Sequence, residues 1–167
     1  MKTLKRIHEC IQESTELLVP RGQVNIPRHQ MPQIAREYYS DFIKFLNLRH
    51  VAVVKWLIPA NMLRAAQNEI NKEKVFKWIH SMPPGAKEKP CIVSADRYII
   101  DGNHTWLAQL NKDPETLINC LQIGLDLIEL LNTIKLFDKV TYKTVNESKD
   151  SIFWDSPDHP FPLLRNT

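Results

Sequence analysis

Residues 97–110 impose the sharpest constraint on the fold. Arg97-Tyr98-Ile99-Ile100 is an apolar, β-branched run, and Asp101-Gly102-Asn103 breaks it. Leu107 and Leu110 then resume at helical spacing. This pattern predicts a strand, a glycine turn and a helix starting near His104. The first turn of such a helix carries N–H groups with no intrahelical partner, a positive end suited to an anion. Gly102 has no Cβ and lets the backbone approach a bound group closely. The remaining glycines, Gly22, Gly85 and Gly124, lie far from it, which excludes a Walker loop and a GxGxxG fingerprint. Two readings of the turn stay open. In one, Gly102 to Thr105 cradles phosphate. In the other, Asp101 and Asn103 are ordinary turn and cap residues and His104 is solvated.

Around this unit the chain reads as a small mixed α+β domain rather than a doubly wound alternation. Leu4, Ile7, Ile11 and Leu18 form a loose stripe, so residues 1–23 are expected as an N-terminal helical arm ended by Pro20-Arg21-Gly22. Residues 24–148 are expected as the folded domain. A helix is predicted after Pro32, carrying Ile34, Tyr38, Phe42, Phe45 and Leu46. Val51 to Ile58 reads as a buried strand ending at Pro59. Asn71 caps a helix with Val75, Phe76, Ile79 and Met82, which Pro83-Pro84-Gly85 stops. Cys91 to Val93 and Leu117 to Ile123 read as strands. Leu127, Leu130, Leu131 and Ile134 mark a last helix, and Val140 to Tyr142 a short closing strand. Residues 149–167 are expected as an irregular tail, because Pro157, Pro160 and Pro162 oppose helix and central strand.

Three segments, in order, resemble those of phage-encoded ParB-like domains in the ParB/sulfiredoxin superfamily. Ile26-Pro27-Arg28-His29-Gln30-Met31-Pro32-Gln33-Ile34 is similar to a V-P-R-x-x-M-P-Q-I segment. Leu63-Arg64-Ala65-Ala66-Gln67-Asn68-Glu69-Ile70 is similar to an L-x-P-T-Q-x-E-I segment. Asp101-Gly102-Asn103-His104-Thr105-Trp106-Leu107-Ala108 is similar to D-G-H-H-R-W-x-A. The resemblance covers roughly residues 24–145. It implies a compact ParB/sulfiredoxin-like domain with a small mixed sheet and a nucleoside di- or triphosphate bound with Mg2+. It also implies phosphoryl transfer, nucleotide hydrolysis or phosphodiester cleavage. Gly102, Asn103, His104, Thr105, Gln67 and Arg28 would hold the nucleotide. His104, Asp101 and Glu69 would be catalytic, with Asp101 and Glu69 also serving a metal. The family arginine falls on Thr105, which cannot make a bidentate phosphate contact. The family's first histidine falls on Asn103. The sulfiredoxin cysteine would also fall near Asn103, which argues against sulfinic acid reduction.

A second functional class is a catalytically inactive phage binding or regulatory module that engages DNA or a host protein, with a homodimer as one assembly. Lys72, Lys74, Lys77, Lys87 and Lys89 are either a DNA footprint or a solvated face interleaved with Glu69, Glu73 and Glu88. Arg28 is either a phosphate contact or an exposed loop charge. Trp56, Trp78, Trp106 and Trp154 are either core residues or base-stacking platforms.

Composition narrows the classes without choosing among them. The 167 residues are 43% hydrophobic, enough for one core, and the net charge of +3 is too mild to demand nucleic acid. No apolar stretch approaches a membrane span, and the first residues lack a signal-peptide core, so a cytoplasmic setting is expected, the host cytoplasm if phage-encoded. Cys10, Cys91 and Cys120 are widely spaced and read as small buried residues. The histidines show no metal-ligand spacing.

Overall fold

A computed structural model describes residues 24–67, 69–143 and, as backbone, 152–153. The expected N-terminal arm, Cys10, Trp154 and most of the tail lie outside the described residues. Elements are numbered here along the described chain: α1 (Tyr39–Asn47), β1 (Val53–Pro59), β2 (Arg64–Ala65), β3 (Glu69–Ile70), α2 (Lys72–His80), β4 (Cys91–Val93), β5 (Tyr98–Asp101), α3 (Asn103–Lys112), β6 (Leu117–Ile123), α4 (Leu127–Ile134) and β7 (Ile152–Phe153).

Five strands form one mixed sheet in the order β1-β6-β4-β5-β2, and β3 pairs with β7 in a separate antiparallel ladder. Alternation along the central strands sorts their side chains to two faces. Cys91, Val93, Ile99, Ile118 and Cys120 join a core with Val75 of α2 and Trp106, Leu107 and Leu110 of α3. Ile92, Ile100, Leu121 and Ile123 join the opposite core with Phe42 and Leu46 of α1 and Leu127, Leu130 and Ile134 of α4. The sheet therefore lies between two helical layers, an α+β arrangement as the sequence predicts. Trp106 ties α3 down. It is fully buried, and its indole N–H donates to the Ala60 carbonyl at 2.9 Å.

Three local readings are corrected. The helix after Pro32 begins later than expected. Gln33 bridges Thr141 in an antiparallel pair, and the Ile34 N–H is taken by the Asp101 carboxylate at 3.1 Å. Both bonds hold that stretch extended, so Arg36–Tyr38 forms a 3-10 turn and α1 starts at Tyr39. Residues 53–59 are a strand but not a buried one. Among the described strands β1 pairs only with β6, and Val54, Trp56 and Leu57 are each about half exposed. A β-branched run specifies a strand, but its neighbours decide burial. Third, the expected strand at Val140–Tyr142 shrinks to the single bridge at Thr141, and Asn61 to Glu69, a connection with no element expected from the sequence, supplies β2 and the start of β3.

Candidate functional site

A cleft of about 340 Å³ opens where β5 meets α3. Its floor is the strand-turn-helix unit. Gly102 occupies the N-cap of α3 with φ +102°, in the left-handed region, and no side chain caps the helix. A Cβ at Gly102 would stand 2.6 Å from Cys91 Sγ and 3.3 Å from Cys91 Cα, so both the angle and the space require glycine. The first intrahelical bond at this end runs from the Trp106 N–H to the Gly102 carbonyl at 3.0 Å. The N–H groups of Asn103, His104 and Thr105 precede it and have no partner within the helix. All three residues line the cleft.

The rest of the wall comes from distant segments. The Ile26 N–H donates to the Ala66 carbonyl at 2.9 Å, and Ile26 bridges Gln67, which draws the residues before Pro27 against the sheet edge. Arg28 follows in a 3-10 turn and is 4% exposed, so the exposed-loop reading of this residue is wrong. Lys74 comes from the first turns of α2, whose cap Asn71 accepts the Lys74 N–H at 3.0 Å, as the sequence predicts. Asn71 in turn donates its own N–H to His104 Nε2 at 3.0 Å, joining α2 to α3. Lys89, Lys143, Gln67 and Trp78 also line the cleft.

The charge balance of this cleft is strongly positive. Arg28, Lys74, Lys89 and Lys143 face it, with Asp101 as the carboxylate among the described lining residues. Asp101 Oδ2 accepts the Ile34 N–H and lies 3.5 Å from Lys89 Nζ. Burial lowers the pKa of Lys74, and the positive charges of Lys143, Arg28 and Lys89 lower it further. Burial, then Lys74, Arg28 and Lys143, push His104 down to about 3. His104 is therefore neutral, and because Nε2 accepts the Asn71 N–H, its proton sits on Nδ1. Trp78 stands edge-on to His104 with centroids 6.4 Å apart, and the Lys74 ammonium lies over its ring at 4.5 Å.

Of the sequence-selected residues, Gly102, Asn103, His104, Thr105, Asp101, Gln67 and Arg28 converge on the cleft. Asn103 does not cap α3. It is the first helical residue, 5% exposed, and its Oδ1 is buried without a hydrogen-bond partner among the described residues. Glu69 is placed by its backbone alone, in β3 in register with Phe153. Sequence reasoning left Lys74 and Lys89 in a charge run and did not select Lys143. No local signal marks which lysine of α2 faces inward, because α2 carries lysines on several sides.

The described donor set does not fit a divalent cation. Mg2+ bound to nucleotide usually takes one or two carboxylates beside the phosphates. Here the described carboxylate is Asp101, already engaged by an N–H and an ammonium, and the surrounding charges repel a cation. No group of three or more His, Cys, Asp or Glu among the described residues could hold a metal ion. The described thiols, Cys91 and Cys120, are buried, and burial pushes Cys120 up to about 12 and Cys91 up as well. No helix among the described residues is long and apolar enough to cross a membrane. No family model, curated protein or solved structure matches the chain.

Proposed function

We propose that this chain binds a nucleoside di- or triphosphate in the cleft between β5 and α3, as its resemblance to ParB-like domains implies. The observation that carries the reading is the convergence of Arg28, Lys74, Lys89 and Lys143 on an uncapped helix N-terminus. The backbone N–H groups of Asn103, His104 and Thr105 would hold one phosphate, and the neutral His104 would donate from Nδ1. The cations would neutralise the others. Trp78 offers an aromatic wall for a base.

The same geometry supports binding further than it supports phosphoryl transfer, nucleotide hydrolysis or phosphodiester cleavage. A general base needs a free acceptor with a pKa near the working pH. His104 Nε2 is spent on Asn71, and Asp101 Oδ2 on Ile34 and Lys89. The reading is thus a holding site, and any coupling to DNA, a host protein or a second copy would follow from ligand occupancy.

The test is thermal unfolding of the full chain with ATP, ADP, CTP and GTP, each with Mg2+ and with chelator. A ligand at 100 times its dissociation constant stabilises the fold by about 2.7 kcal/mol. At least one nucleotide is expected to do so. If all of them leave the unfolding temperature unchanged while a short DNA duplex raises it, the nucleotide reading fails and the DNA-binding module replaces it.

A further inference from the structure

We infer that the cleft takes its polyphosphate as the free anion, without a divalent cation, with Lys74 supplying the central countercharge that a metal would otherwise bring. The inference rests on the nucleotide reading above and specifies the form of the ligand.

Metal-dependent nucleotide sites keep a carboxylate available, because Mg2+ bridges protein oxygen and phosphate oxygen. The described cleft is built in the opposite sense. Asp101 turns Oδ2 to the Ile34 N–H and to Lys89, so its charge is used to fix the 33–35 segment and to orient an ammonium. Arg28, Lys74, Lys89 and Lys143 then outnumber it around one cleft of about 340 Å³. A free Mg2+ entering this field meets repulsion from every charged side chain of the described lining except Asp101. A polyphosphate meets attraction from the same groups.

Lys74 is the group on which this field converges. Its ammonium is held over the Trp78 ring at 4.5 Å, and α2 is fixed by Asn71 to His104, at the base of the phosphate cradle. Burial, and then the neighbouring positive charges of Lys143, Arg28 and Lys89, make its own charge costly. An arriving anion relieves that cost at once, whereas a Mg2+-chelated anion has already lost much of the charge that would do so.

Calorimetric titration of ADP and ATP into the full chain, in EDTA and in excess Mg2+, tests the inference. Affinity in EDTA is expected to equal or exceed that in Mg2+. Lys74→Gln is expected to lower affinity in EDTA about tenfold or more, since it removes a charge-assisted contact. Lys74→Arg, which keeps the charge, is expected to retain most of the parent affinity. Circular dichroism serves as the folding control for both variants. Nucleotide that binds only with Mg2+ overturns the inference and leaves the nucleotide reading standing. Unchanged affinity in folded Lys74→Gln overturns the role of Lys74. No binding in either buffer overturns the nucleotide reading itself.

Discussion

Helix α4 begins at Asp126, whose carboxylate accepts the Glu129 N–H at 3.0 Å, while Glu129 Oε2 accepts the Asp126 N–H at 3.4 Å. Helix α3 begins at Gly102, which has no side chain to offer. Both helices pack an apolar face on the same sheet, and both start with orphan N–H groups. In α4 a capping box takes the Glu129 N–H and Asp96 Oδ1 takes the Leu127 N–H at 3.0 Å, with negative charge at the positive end of the helix dipole. In α3 they are left facing a cleft that also gathers Arg28, Lys74, Lys89 and Lys143. The first terminus is closed by the chain's own carboxylates. The second has one described carboxylate beside it, Asp101, which is held by the Ile34 N–H and Lys89. Stability alone explains α4, but it does not explain why α3 collects cations around an uncapped end.

The strongest way to break this contrast is Gly102→Val. The substitution forces a branched residue to φ +102° and drives its Cβ into Cys91. Backbone strain and overpacking together are expected to cost about 2–6 kcal/mol. Urea unfolding measures this. A variant as stable as the parent would show that the turn does not need glycine.

How far this region was legible in the sequence depends on distance along the chain. The apolar run, the glycine and the resumed helical spacing all lie within residues 97–110, so strand, turn and helix follow from local chemistry. Asn71 was legible as a cap for the same reason. Arg28 was not, because its burial depends on the Ile26 N–H reaching Ala66, far along the chain. β1 was misread for a related reason: its apolar composition resembles that of a central strand, but among the described strands only β6 pairs with it. The cleft's strand-turn-helix floor could thus be read locally, while the cations around it depend on tertiary contacts.

A smaller effect tests the junction beneath the cleft. His104 is neutral in the fold, pushed down to about 3, and titrates near its ordinary 6.5 in the unfolded chain. Between those values the unfolded chain binds the proton more readily. Stability is therefore full above pH 6.5 and is lost as pH falls toward 3, by about 3 kcal/mol between pH 7 and pH 4. His104→Gln keeps an acceptor for the Asn71 N–H and removes the titration. Its stability is expected to vary less over that range, as measured by denaturant midpoints at several pH values. Parallel pH curves for parent and variant would remove His104 from the account.

Giving α3 its own anion makes it resemble α4. Thr105 stands in the first turn and lines the cleft. Thr105→Glu places a carboxylate among the lysines and near the helix N-terminus. The fold is expected to gain about 0.5–2 kcal/mol, and nucleotide affinity to drop about tenfold, since the new charge competes with phosphate. A variant that is stabilised yet binds nucleotide as the parent does would place the ligand away from the α3 terminus.

The reverse exchange is the smallest and the most discriminating. Asp126→Ala removes the cap of α4 and opens the Glu129 N–H, while Asp96 Oδ1 still accepts the Leu127 N–H at 3.0 Å. The expected cost is about 1 kcal/mol. Nucleotide affinity should not change, because Asp126 does not line the cleft, which keeps its cations. Opening α4 also separates two explanations of the α3 site. If an uncapped terminus were enough to bind anions, sulfate would restore stability to Asp126→Ala more than it stabilises the parent. If the converging side chains are required, sulfate should stabilise parent and variant by the same amount, through the α3 cleft that both retain. Equal sulfate increments with an intact nucleotide affinity would place the binding energy in Arg28, Lys74, Lys89 and Lys143 acting on the α3 terminus together, rather than in the helix end alone.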